Sequence, residues 1–569
     1  RCSRLISSST APLSTAPHFF SRVLEHQNAL ALIESPRDAQ PAREWTFAGL
    51  LARAVRLRDT LAPQLRSAGS GATPSNRQPR VAFLGARGAA FVEIQWAIWL
   101  TGGIAVPLHA RHPPEELAYI LADCGAALLV ASDEFVHSPH LSEFLRRLPR
   151  HDGVPVHVHA EAGGESRTPL SDRDTDEIRQ WVATHAQHAP AAQIVYTSGT
   201  TGRPKGVVTT HANLTAQIHD VVAAWEMSPR DHLLHFLPLH HVHGVLNNLL
   251  CVHYAGGSLE FLPSAEPSVI WSKLAASLTA ARPVTMLMAV PTVYMLLLEE
   301  MERLQAQPPG VGSSHRIDVD RAIEAARGLR VAVSGSMACP VSILTRWHAL
   351  TGQTLLERYG MTELGMVLTN PLHGERHLGY VGQSFPSVAV RLVDPDTERE
   401  VALSSEREGE LRVKGPTVFE EYWGKPAATA KEFDESGWFK TGDIAQFSNE
   451  RQSFRIRGRA SADIIKSAGY KISALDVERV LLTHPQVQEC AVFGLPDEKW
   501  GQVVAAVVRA STTEPPLENA EQFSPPLRAF VTPHLADNAA PRRFFFVSEI
   551  PKNAMGKVNK KALTSMFVG

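Results

Sequence analysis

The sequence predicts an α/β protein in which helices cover parallel sheets and the chain divides into several domains. Three observations support this fold class: a strand–helix–strand pattern near the N-terminus, further α/β alternation in the middle, and a separate compact pattern at the end. The chain has 569 residues, which predicts two to four domains rather than one. Its apolar content of 44% is sufficient for large cores.

The N-terminal segment has the composition of a targeting sequence. Residues 1–24 contain three arginines and six serines, and the first acidic residue is Glu25. This composition is typical of a mitochondrial transit peptide, although a disordered tail would look similar. We therefore expect residues 1–16 to be a transit peptide and the protein to act in the mitochondrial matrix.

The first globular region begins near Phe19 and alternates buried strands with helices. Its hydrophobic runs predict strands at 80–85, 104–108 and 127–131 and helices at 89–100 and 115–124. Strands that are joined through a helix pair in parallel, so a helix-covered parallel sheet is expected here.

The middle of the chain continues this alternation beyond a glycine-rich loop. Stretches rich in polar residues, proline and glycine at 65–79 and 150–175 predict surface loops. The remaining periodicity predicts a helix at 211–225, strands at 284–290, 329–334 and 354–357, and a helix at 292–304.

Two smaller units are expected after these elements. Short alternating strands at 388–393 and 409–413 predict a small β subdomain around residues 386–415. After Gly458, a compact pattern predicts helices at 473–483 and 526–535 and strands at 489–493 and 502–508. A unit of about a hundred residues has the size of a separate C-terminal domain.

Charge and cysteine content exclude several function classes. A net charge of −2 provides no global basic field of the kind that attracts nucleic acid. The longest apolar runs are too short for a transmembrane helix. The five cysteines have no C-x-x-C spacing, which favours reduced, unpaired thiols in an intracellular compartment.

The glycine-rich loop at 197–206 has the composition of a phosphate-binding loop. It contains four hydroxyl side chains, three glycines and two cations between two strand-like segments. Backbone N–H groups, hydroxyls and cations that converge in this way suit a polyphosphate. The loop is not a Walker A motif, because Pro204 and Gly206 stand where that motif requires other residues. An ordinary hairpin loop is the alternative.

Two further motifs supply groups that a nucleotide needs. In Tyr359-Gly-Met-Thr-Glu363 the aromatic ring offers a face to a purine, Thr362 can donate to a phosphate, and Glu363 is a hard oxygen ligand for Mg²⁺. In Thr441-Gly-Asp443 the carboxylate can accept both ribose hydroxyls. Each motif alone could equally be a polar surface turn.

Two basic segments near the C-terminus complete the set. Cations and glycines from Arg457 to Lys471 lie between the predicted domains, where they favour either a pivot or a solvated linker. Lys557 follows Met555-Gly556 on a loop that could deliver it into a site. A terminal lysine is otherwise most often a solvated charge.

In this order and spacing, these motifs resemble those of the acyl-adenylate-forming superfamily of acyl-CoA synthetases, luciferases and peptide-synthetase adenylation domains. The resemblance extends from about residue 17 to residue 562. It implies an N-terminal AMP-binding domain at 17–457, made of two α/β subdomains and a small β-barrel. It also implies a hinge at 458–461 and a small mobile α+β domain at 462–569.

The resemblance implies a reaction in which a carboxylate attacks the α-phosphate of ATP, after which the thiol of coenzyme A displaces AMP. It also implies a role for each motif. The β- and γ-phosphates are assigned to Thr197, Ser198, Gly199, Thr200, Thr201, Gly202 and Lys205, with Thr200 taken as catalytic. Adenine is assigned to Gly335, Ser336, Tyr359 and Gly360, ribose to Asp443 and Arg459, and Mg²⁺ and the α-phosphate to Glu363 and Thr362. Lys557 is assigned to the α-phosphate and the carboxylate during adenylation only, and Lys466 and Gly469 to cofactor binding.

One departure from the superfamily lies at the expected hinge. Relatives usually carry Asp or Lys two residues after the Gly-Arg pair, whereas this chain has Ser461. Gly469 is expected to form a wall of the pantetheine channel.

Arg358 indicates which acid is used. Most fatty-acid-activating relatives have a small residue there, and a cation facing the acyl pocket needs an anionic partner such as a second carboxylate. The segments around Arg358 and around His241 resemble the malonyl-CoA synthetase branch, which implies malonate, with methylmalonate as a further substrate. His241 is expected to gate the pocket and His243 to make it polar. An internal salt bridge of Arg358, for example with Glu357 or with another acid, is the alternative.

Two other observations bear on the acid. A metal site at His240, His241 and His243 is disfavoured, since no carboxylate or cysteine is nearby in the sequence. The malonate branch often has a basic residue where this chain has Leu296, and the loss of one cationic contact would cost about 1–3 kcal/mol. A medium-chain or aryl acid therefore stays open as an alternative substrate. A carrier-protein thiol supplied in trans stays open as an alternative to coenzyme A.

Overall fold

Four β-sheets flanked by helices make up the part of the chain that the structure describes. The structure is a computed structural model, and it describes residues 16–35, 41–68, 78–151, 153–160, 167–188, 190–197, 203–306, 317–468, 470–510, 520–535, 539–552 and 558–567. The four sheets and their helices confirm the predicted α/β class. The expected transit peptide lies outside the described residues except for Ala16.

The two largest sheets are mainly parallel. The nine-stranded sheet consists, in spatial order, of Gln383–Ser384, Gly365–Thr369, Leu356–Met361, Val331–Ser334, Met286–Ala289, His232–His235, Ser258–Phe261, Leu30–Glu34 and Arg43–Thr46. The seven-stranded sheet consists of Glu421–Tyr422, Lys205–Thr210, Ala191–Thr197, Ile104–Pro107, Arg80–Leu84, Leu128–Ser132 and Val156–His159.

Two smaller sheets follow in the chain. The first is an antiparallel five-stranded sheet, at the place expected for the small β-barrel, made of Glu400–Val401, Ala389–Val393, Gly409–Lys414, Phe439–Ser448 and Ser453–Arg459. The second is the C-terminal sheet of Tyr470–Ser473, Ile464–Ser467, Gly501–Ala510, Val487–Asp497 and Arg543–Phe546.

Helices connect and cover these sheets. The α-helices in the described residues are Phe19–Glu25, Phe47–Ala68, Ala89–Leu100, Pro114–Cys124, Asp133–Val136, Ser142–His151, Asp172–His188, His211–Ala224, Cys251–Tyr254, Pro267–Ser277, Pro291–Gln305, Val319–Arg327, Val341–Thr351, Pro426–Lys431, Ala474–Leu481, Ala520–Val531 and Lys560–Phe567. Short 3₁₀ turns lie at Leu403–Ser405 and Thr532–His534, and His243–Leu250 is a π-helix.

The Ala89–Leu100 helix shows how the sequence directs this fold. It is apolar on every side, and a helix of that kind is stable only when it is surrounded by protein. All twelve of its residues are buried, and Trp96 and Trp99 pack edge-on against Phe19 and Phe20. The predicted bounds of this helix, 89–100, are confirmed.

Two loop predictions need correction. Residues 150–175 were expected to form a surface loop, but they contain the edge strand Val156–His159 and the start of the Asp172–His188 helix. The strand escaped prediction because none of its four side chains is fully buried, so it carries little apolar signal. The predicted loop at 65–79 is also too long, since helix Phe47–Ala68 continues to residue 68.

The state of the cysteines and the length of the helices can be compared with the expectations from composition. The four described cysteines (Cys124, Cys251, Cys339 and Cys490) are free and buried. No helix in the described ranges is long and apolar enough to cross a membrane.

Candidate active site

A cleft of about 2440 Å³ runs along the carboxyl ends of strands from both large sheets and reaches the small sheet and the C-terminal residues. In α/β proteins, ligands bind at the carboxyl ends of parallel strands. Twelve of the residues predicted for the site line this cleft: Thr197, Lys205, His241, His243, Ser336, Arg358, Tyr359, Gly360, Thr362, Glu363, Asp443 and Arg459. The fold therefore gathers residues that are up to 262 positions apart in the chain.

The strands on either side of the predicted phosphate loop form a hairpin. Ala191–Thr197 pairs antiparallel with Lys205–Thr210, and the Oγ1 of Thr197 donates to the carbonyl of Lys205 over 3.4 Å. Tyr119 donates its hydroxyl to the carbonyl of Pro204 at 2.9 Å, and the Arg203 guanidinium lies 5.1 Å from the centre of that ring. These contacts fix the base of the loop. Ser198, Gly199, Thr200, Thr201 and Gly202 lie outside the described residues.

Glu363 is held at the floor of the cleft by a hydroxyl that the sequence analysis missed. The Tyr422 hydroxyl donates to Oε1 of Glu363 at 2.8 Å. Burial raises the pKa of the Glu363 carboxyl above its ordinary value, with the Tyr422 hydrogen bond opposing that shift. The Lys205 ammonium lies 4.0 Å from the centre of the Tyr422 ring and 3.5 Å from Glu432. An acidic oxygen, a hydroxyl and a cation therefore adjoin one another.

Tyr359, Asp443 and Arg459 form a connected group on the nucleotide side of the cleft. The Tyr359 hydroxyl donates to Oδ2 of Asp443 at 2.6 Å. Arg459 donates from Nε and Nη2 to the two oxygens of the same carboxylate at 3.0 and 3.2 Å. These bonds fix the carboxylate, which has further lone pairs available for ribose hydroxyls.

Arg358 is a buried cation without an anionic partner in the described part of the chain. Arg358 is only 5% exposed. Its Nε and Nη2 have no hydrogen-bond partner among the described residues. Burial lowers the pKa of the Arg358 guanidinium to about 9, so it is charged at neutral pH. An unpaired buried charge is costly, and that cost is relieved when an anion binds.

The proposed salt bridge of Arg358 with Glu357 does not form. Neighbouring residues in a strand point to opposite faces, and Glu357 accepts from the backbone N–H of Gly379 at 3.1 Å. Burial raises the pKa of the Glu357 carboxyl to about 7. The internal-pair interpretation is therefore wrong, and the guanidinium is left for a ligand.

His243 and two small residues complete the surroundings of Arg358. The Nδ1 of His243 lies 3.1 Å from the Ser336 hydroxyl, and its Nε2 has no partner among the described residues. Burial, and then the charge of Arg358, lower the pKa of the imidazole, so it is neutral. A Cβ at Gly335 would overlap the Arg358 guanidinium, which explains the glycine there.

The position of Leu296 bears on the hypothesis that a leucine there weakens acid binding. Leu296 lies on the Pro291–Gln305 helix, is 40% exposed, and is not among the residues that line the cleft. Its neighbour Met295 lines the cleft instead. The leucine side chain itself is therefore outside the cleft lining, and its effect on acid binding stays a prediction.

Two predicted residues lie away from the cleft lining, and two lie outside the described residues in addition to the five of the phosphate loop. Gly335 contacts Arg358 from behind, and Lys466 is exposed on the hairpin that pairs Ile464–Ser467 with Tyr470–Ser473. Lys557 and Gly469 lie outside the described residues. Three residues after Lys557 in the sequence, the Lys560 ammonium forms ion pairs with Asp463 at 2.6 Å and Glu478 at 2.7 Å.

The site residues that the sequence did not indicate are in contact with the predicted ones only through the tertiary structure. Tyr422 and Glu432 belong to no motif. Tyr422 lies on strand Glu421–Tyr422, which pairs with strand Lys205–Thr210, and Glu432 follows helix Pro426–Lys431 and contacts Lys205. The signal that could have indicated Tyr422 is the concentration of three aromatic residues within Phe419–Trp423.

Family models match nearly the whole described architecture. The AMP-binding enzyme model matches residues 19–423, and the model of the AMP-binding enzyme C-terminal domain matches residues 476–557.

Curated relatives and a solved structure are similar over most of their lengths. The mitochondrial malonate–CoA ligase ACSF3 of Mus musculus is 42% identical over 504 residues, covering 86% of this chain and 81% of the mouse protein. The Homo sapiens protein of the same name is 39% identical over 582 residues, covering 98% and 94% of the two chains. The crystal structure of ATP-bound MatB from Rhodopseudomonas palustris has a TM-score of 0.77 and 28% identity, covering 97% of this chain and 98% of that one.

Proposed function

Since this chain belongs to the AMP-binding enzyme family, we propose that it is an ATP-dependent acid–thiol ligase that forms malonyl-CoA. The observation that carries the choice of acid is the buried, unpaired guanidinium of Arg358 in the cleft. A dicarboxylic acid supplies the reacting carboxylate together with a second carboxylate that can pair with this cation. The mouse and human relatives, which are named malonate–CoA ligases, support the same acid.

The first step is adenylation of the acid. One carboxylate oxygen of malonate attacks the α-phosphorus of ATP, the bond to the bridging β-oxygen breaks, and pyrophosphate leaves with that bonding pair. Charge accumulates on phosphate oxygens, so the protein contributes positioning and electrostatic stabilisation. Lys205 and the 197–206 loop would hold the β- and γ-phosphates, Thr362 the α-phosphate, and Asp443 with Arg459 the ribose.

The described residues fit a magnesium ion at Glu363. Mg²⁺ prefers hard oxygen ligands and binds in nucleotide sites through one or two carboxylates together with substrate phosphates. Glu363 offers such an oxygen at the floor of the cleft, and the Tyr422 hydroxyl orients it. When bound, Mg²⁺ would neutralise charge on the phosphate oxygens.

The second step forms the thioester. The sulfur of coenzyme A attacks the acyl carbon of malonyl-adenylate, its proton is lost, and AMP leaves with the electrons of the carbon–oxygen bond. We propose that residues 458–461 act as a hinge about which the C-terminal domain rotates between the two steps. Lys557 would face the active site in the first step, and the pantetheine channel near Gly469 would face it in the second. Gly458 has a φ of +127°, a conformation that favours glycine at a pivot.

The proposed location is the mitochondrial matrix. The transit-like composition of residues 1–24 supports it, as do the names of the mouse and human relatives.

The experiment that tests the function is a pyrophosphate-release assay with ATP, Mg²⁺ and coenzyme A across five acids. Malonate should give the highest kcat/KM, methylmalonate should also be used, and acetate, octanoate and benzoate should be poor substrates. The Lys557→Ala variant should bind ATP but release almost no pyrophosphate with malonate. A preference for octanoate or benzoate in the unmodified protein would overturn the dicarboxylate assignment. Pyrophosphate release without thioester formation from coenzyme A would indicate a carrier-protein acceptor instead.

A further inference from the structure

Three histidines that no sequence motif links meet beside the acid end of the cleft. His109 and His112 lie between strand Ile104–Pro107 and helix Pro114–Cys124, and His240 follows strand His232–His235. One nitrogen from each ring lies within 4.8 Å of a nitrogen of each other ring. The cluster therefore bridges the carboxyl ends of the two large sheets.

The ring geometry is compact. His109 and His240 stack with their centroids 4.2 Å apart, and His112 stands edge-on to both, at 5.2 and 5.3 Å. A tight turn holds the first two histidines, since the N–H of His112 donates to the carbonyl of His109 at 3.0 Å. Two short segments from different sheets thus present three imidazoles to one small volume.

Two nitrogens of this cluster have no hydrogen-bond partner among the described residues. The Nδ1 atoms of His109 and His112 are buried and have no hydrogen-bond partner among the described residues. Buried polar atoms are normally satisfied, so two such nitrogens in one cluster require an explanation. A ligand that accepts imidazole lone pairs would satisfy them together.

The charge state of the rings suits such a ligand. Burial lowers the pKa of His109 to about 4, with smaller contributions from neighbouring positive groups, and it also lowers the pKa of His112 and of His240. Neutral imidazoles have free lone pairs. Arg87 and Arg111 near His109 oppose a cation, whereas the Glu116 carboxylate, 3.7 Å from Nδ1 of His112, favours one.

We propose that His109, His112 and His240 form a binding site for a transition-metal cation, for which Zn²⁺ is the representative ion. Three histidines with one open position are an established ligand set for Zn²⁺. Imidazole nitrogen prefers Zn²⁺, Co²⁺ or Ni²⁺ to Mg²⁺, so this site is chemically distinct from the oxygen site at Glu363. The bound ion would tie the loop of His109 to the segment that carries His241, whose ring centroid lies 3.9 Å from that of His240.

This site differs from the one that the sequence analysis disfavoured. The histidines considered there were His240, His241 and His243, and the third of them bonds to Ser336 instead. Only His240 takes part in the cluster, and its partners stand about 130 residues earlier in the chain.

The test is a Co²⁺ titration of the chelator-treated full-length protein in excess Mg²⁺, followed by visible absorption. We expect one saturable equivalent with the d–d bands of a tetrahedral nitrogen-rich site, and displacement of Co²⁺ by Zn²⁺. The His109→Asn and His112→Asn variants should each lower the affinity by about 100-fold or more, since even outer-shell partners of a metal are worth 10–100-fold. The melting temperature without added metal identifies a variant that does not fold. If one cluster variant is unfolded, the Co²⁺ affinity of the other one tests the proposal.

The matched control is His373→Asn, which removes one imidazole from an exposed site, with 75% of its side chain accessible, outside the cluster. It should bind Co²⁺ like the unmodified protein. Three results would each overturn the proposal. They are the absence of a saturable Co²⁺ band, an unchanged Co²⁺ affinity in both cluster variants, and a loss of Co²⁺ binding in the His373→Asn control.

Discussion

The nucleotide side and the acid side of the cleft differ in how their charges are satisfied. On the nucleotide side, Asp443 accepts from Tyr359 and Arg459, and Glu363 accepts from Tyr422. On the acid side, Nε and Nη2 of Arg358 and Nε2 of His243 have no partner among the described residues. The first region is therefore pre-organised by the protein itself, whereas the second depends on its ligand for completion.

This difference bears on specificity. A pre-organised carboxylate positions the ribose of ATP, which takes part in every turnover. The loss of one of its hydrogen bonds should weaken ribose binding only in part. An unpaired buried cation discriminates more strongly, because an acid that lacks the second carboxylate leaves the charge unsatisfied. We therefore expect the largest effects of substitution on the acid side.

The largest expected effect is that of Arg358→Ala. It should lower kcat/KM for malonate by about 100-fold or more, because the second carboxylate loses a charged partner. The measurement is pyrophosphate release with malonate and with acetate. The acetate rate is the internal control, since acetate has no second carboxylate. A variant that still prefers malonate by the original ratio would show that another group selects the acid.

The next effect concerns stability and tests whether Glu357 is separate from Arg358. The pKa of Glu357 is raised to about 7 in the fold by burial, from an ordinary value of 4.5, so the folded state holds a proton that the unfolded state releases. Its contribution to stability is present below about pH 4.5 and lost as the pH rises to 7, which amounts to about 3 kcal/mol. Glu357→Gln should remove this pH dependence.

Urea denaturation of the unmodified protein and of Glu357→Gln at pH 5 and pH 7.5 measures the Glu357 effect. The difference in unfolding free energy between the two proteins should favour the variant more strongly at the higher pH. The preference for malonate should not change. A loss of that preference would mean that Glu357 and Arg358 act as a pair after all.

On the nucleotide side, Asp443→Asn should raise the KM for ATP by about 10–100-fold, the range for hydrogen bonds to a charged group. The amide has the same shape but loses the charge that pairs with Arg459. Initial rates at saturating malonate and varied ATP measure this effect. The ratio of malonate to acetate activity should stay constant, and a changed ratio would contradict the separation of the two sides.

A smaller effect is expected for Tyr422→Phe, which removes the hydroxyl that orients Glu363 and keeps the ring beside Lys205. The loss of one hydrogen bond of about 0.5–1.5 kcal/mol predicts a decrease in kcat/KM for ATP of roughly 2–10-fold. Because Glu363 is the proposed magnesium ligand, the Mg²⁺ concentration required for half-maximal rate should rise. An unchanged Mg²⁺ dependence would remove Tyr422 from the site.

The sequence predicted local elements better than it predicted partners. Helix Ala89–Leu100 follows from its mainly apolar sequence, and the cleft residues follow from the order of the motifs along the chain. Tyr422 beside Glu363 depends on which strands pair, and His109 beside His240 on how two sheets are placed. Such contacts leave no periodic or local signal, so they become visible only in the fold.

Leu296 gives the smallest expected effect and the most direct test of that limit. From the sequence alone, a leucine in place of a basic residue suggested a weakened malonate site. In the fold, Leu296 is 40% exposed and is not among the residues that line the cleft, whereas its neighbour Met295 is. Leu296→Arg should therefore leave the KM for malonate unchanged within about twofold, since surface substitutions of this kind are worth less than about 0.5 kcal/mol. A much lower KM for malonate in this variant would mean that the helix turns residue 296 toward the acid, and that Arg358 does not select the acid alone.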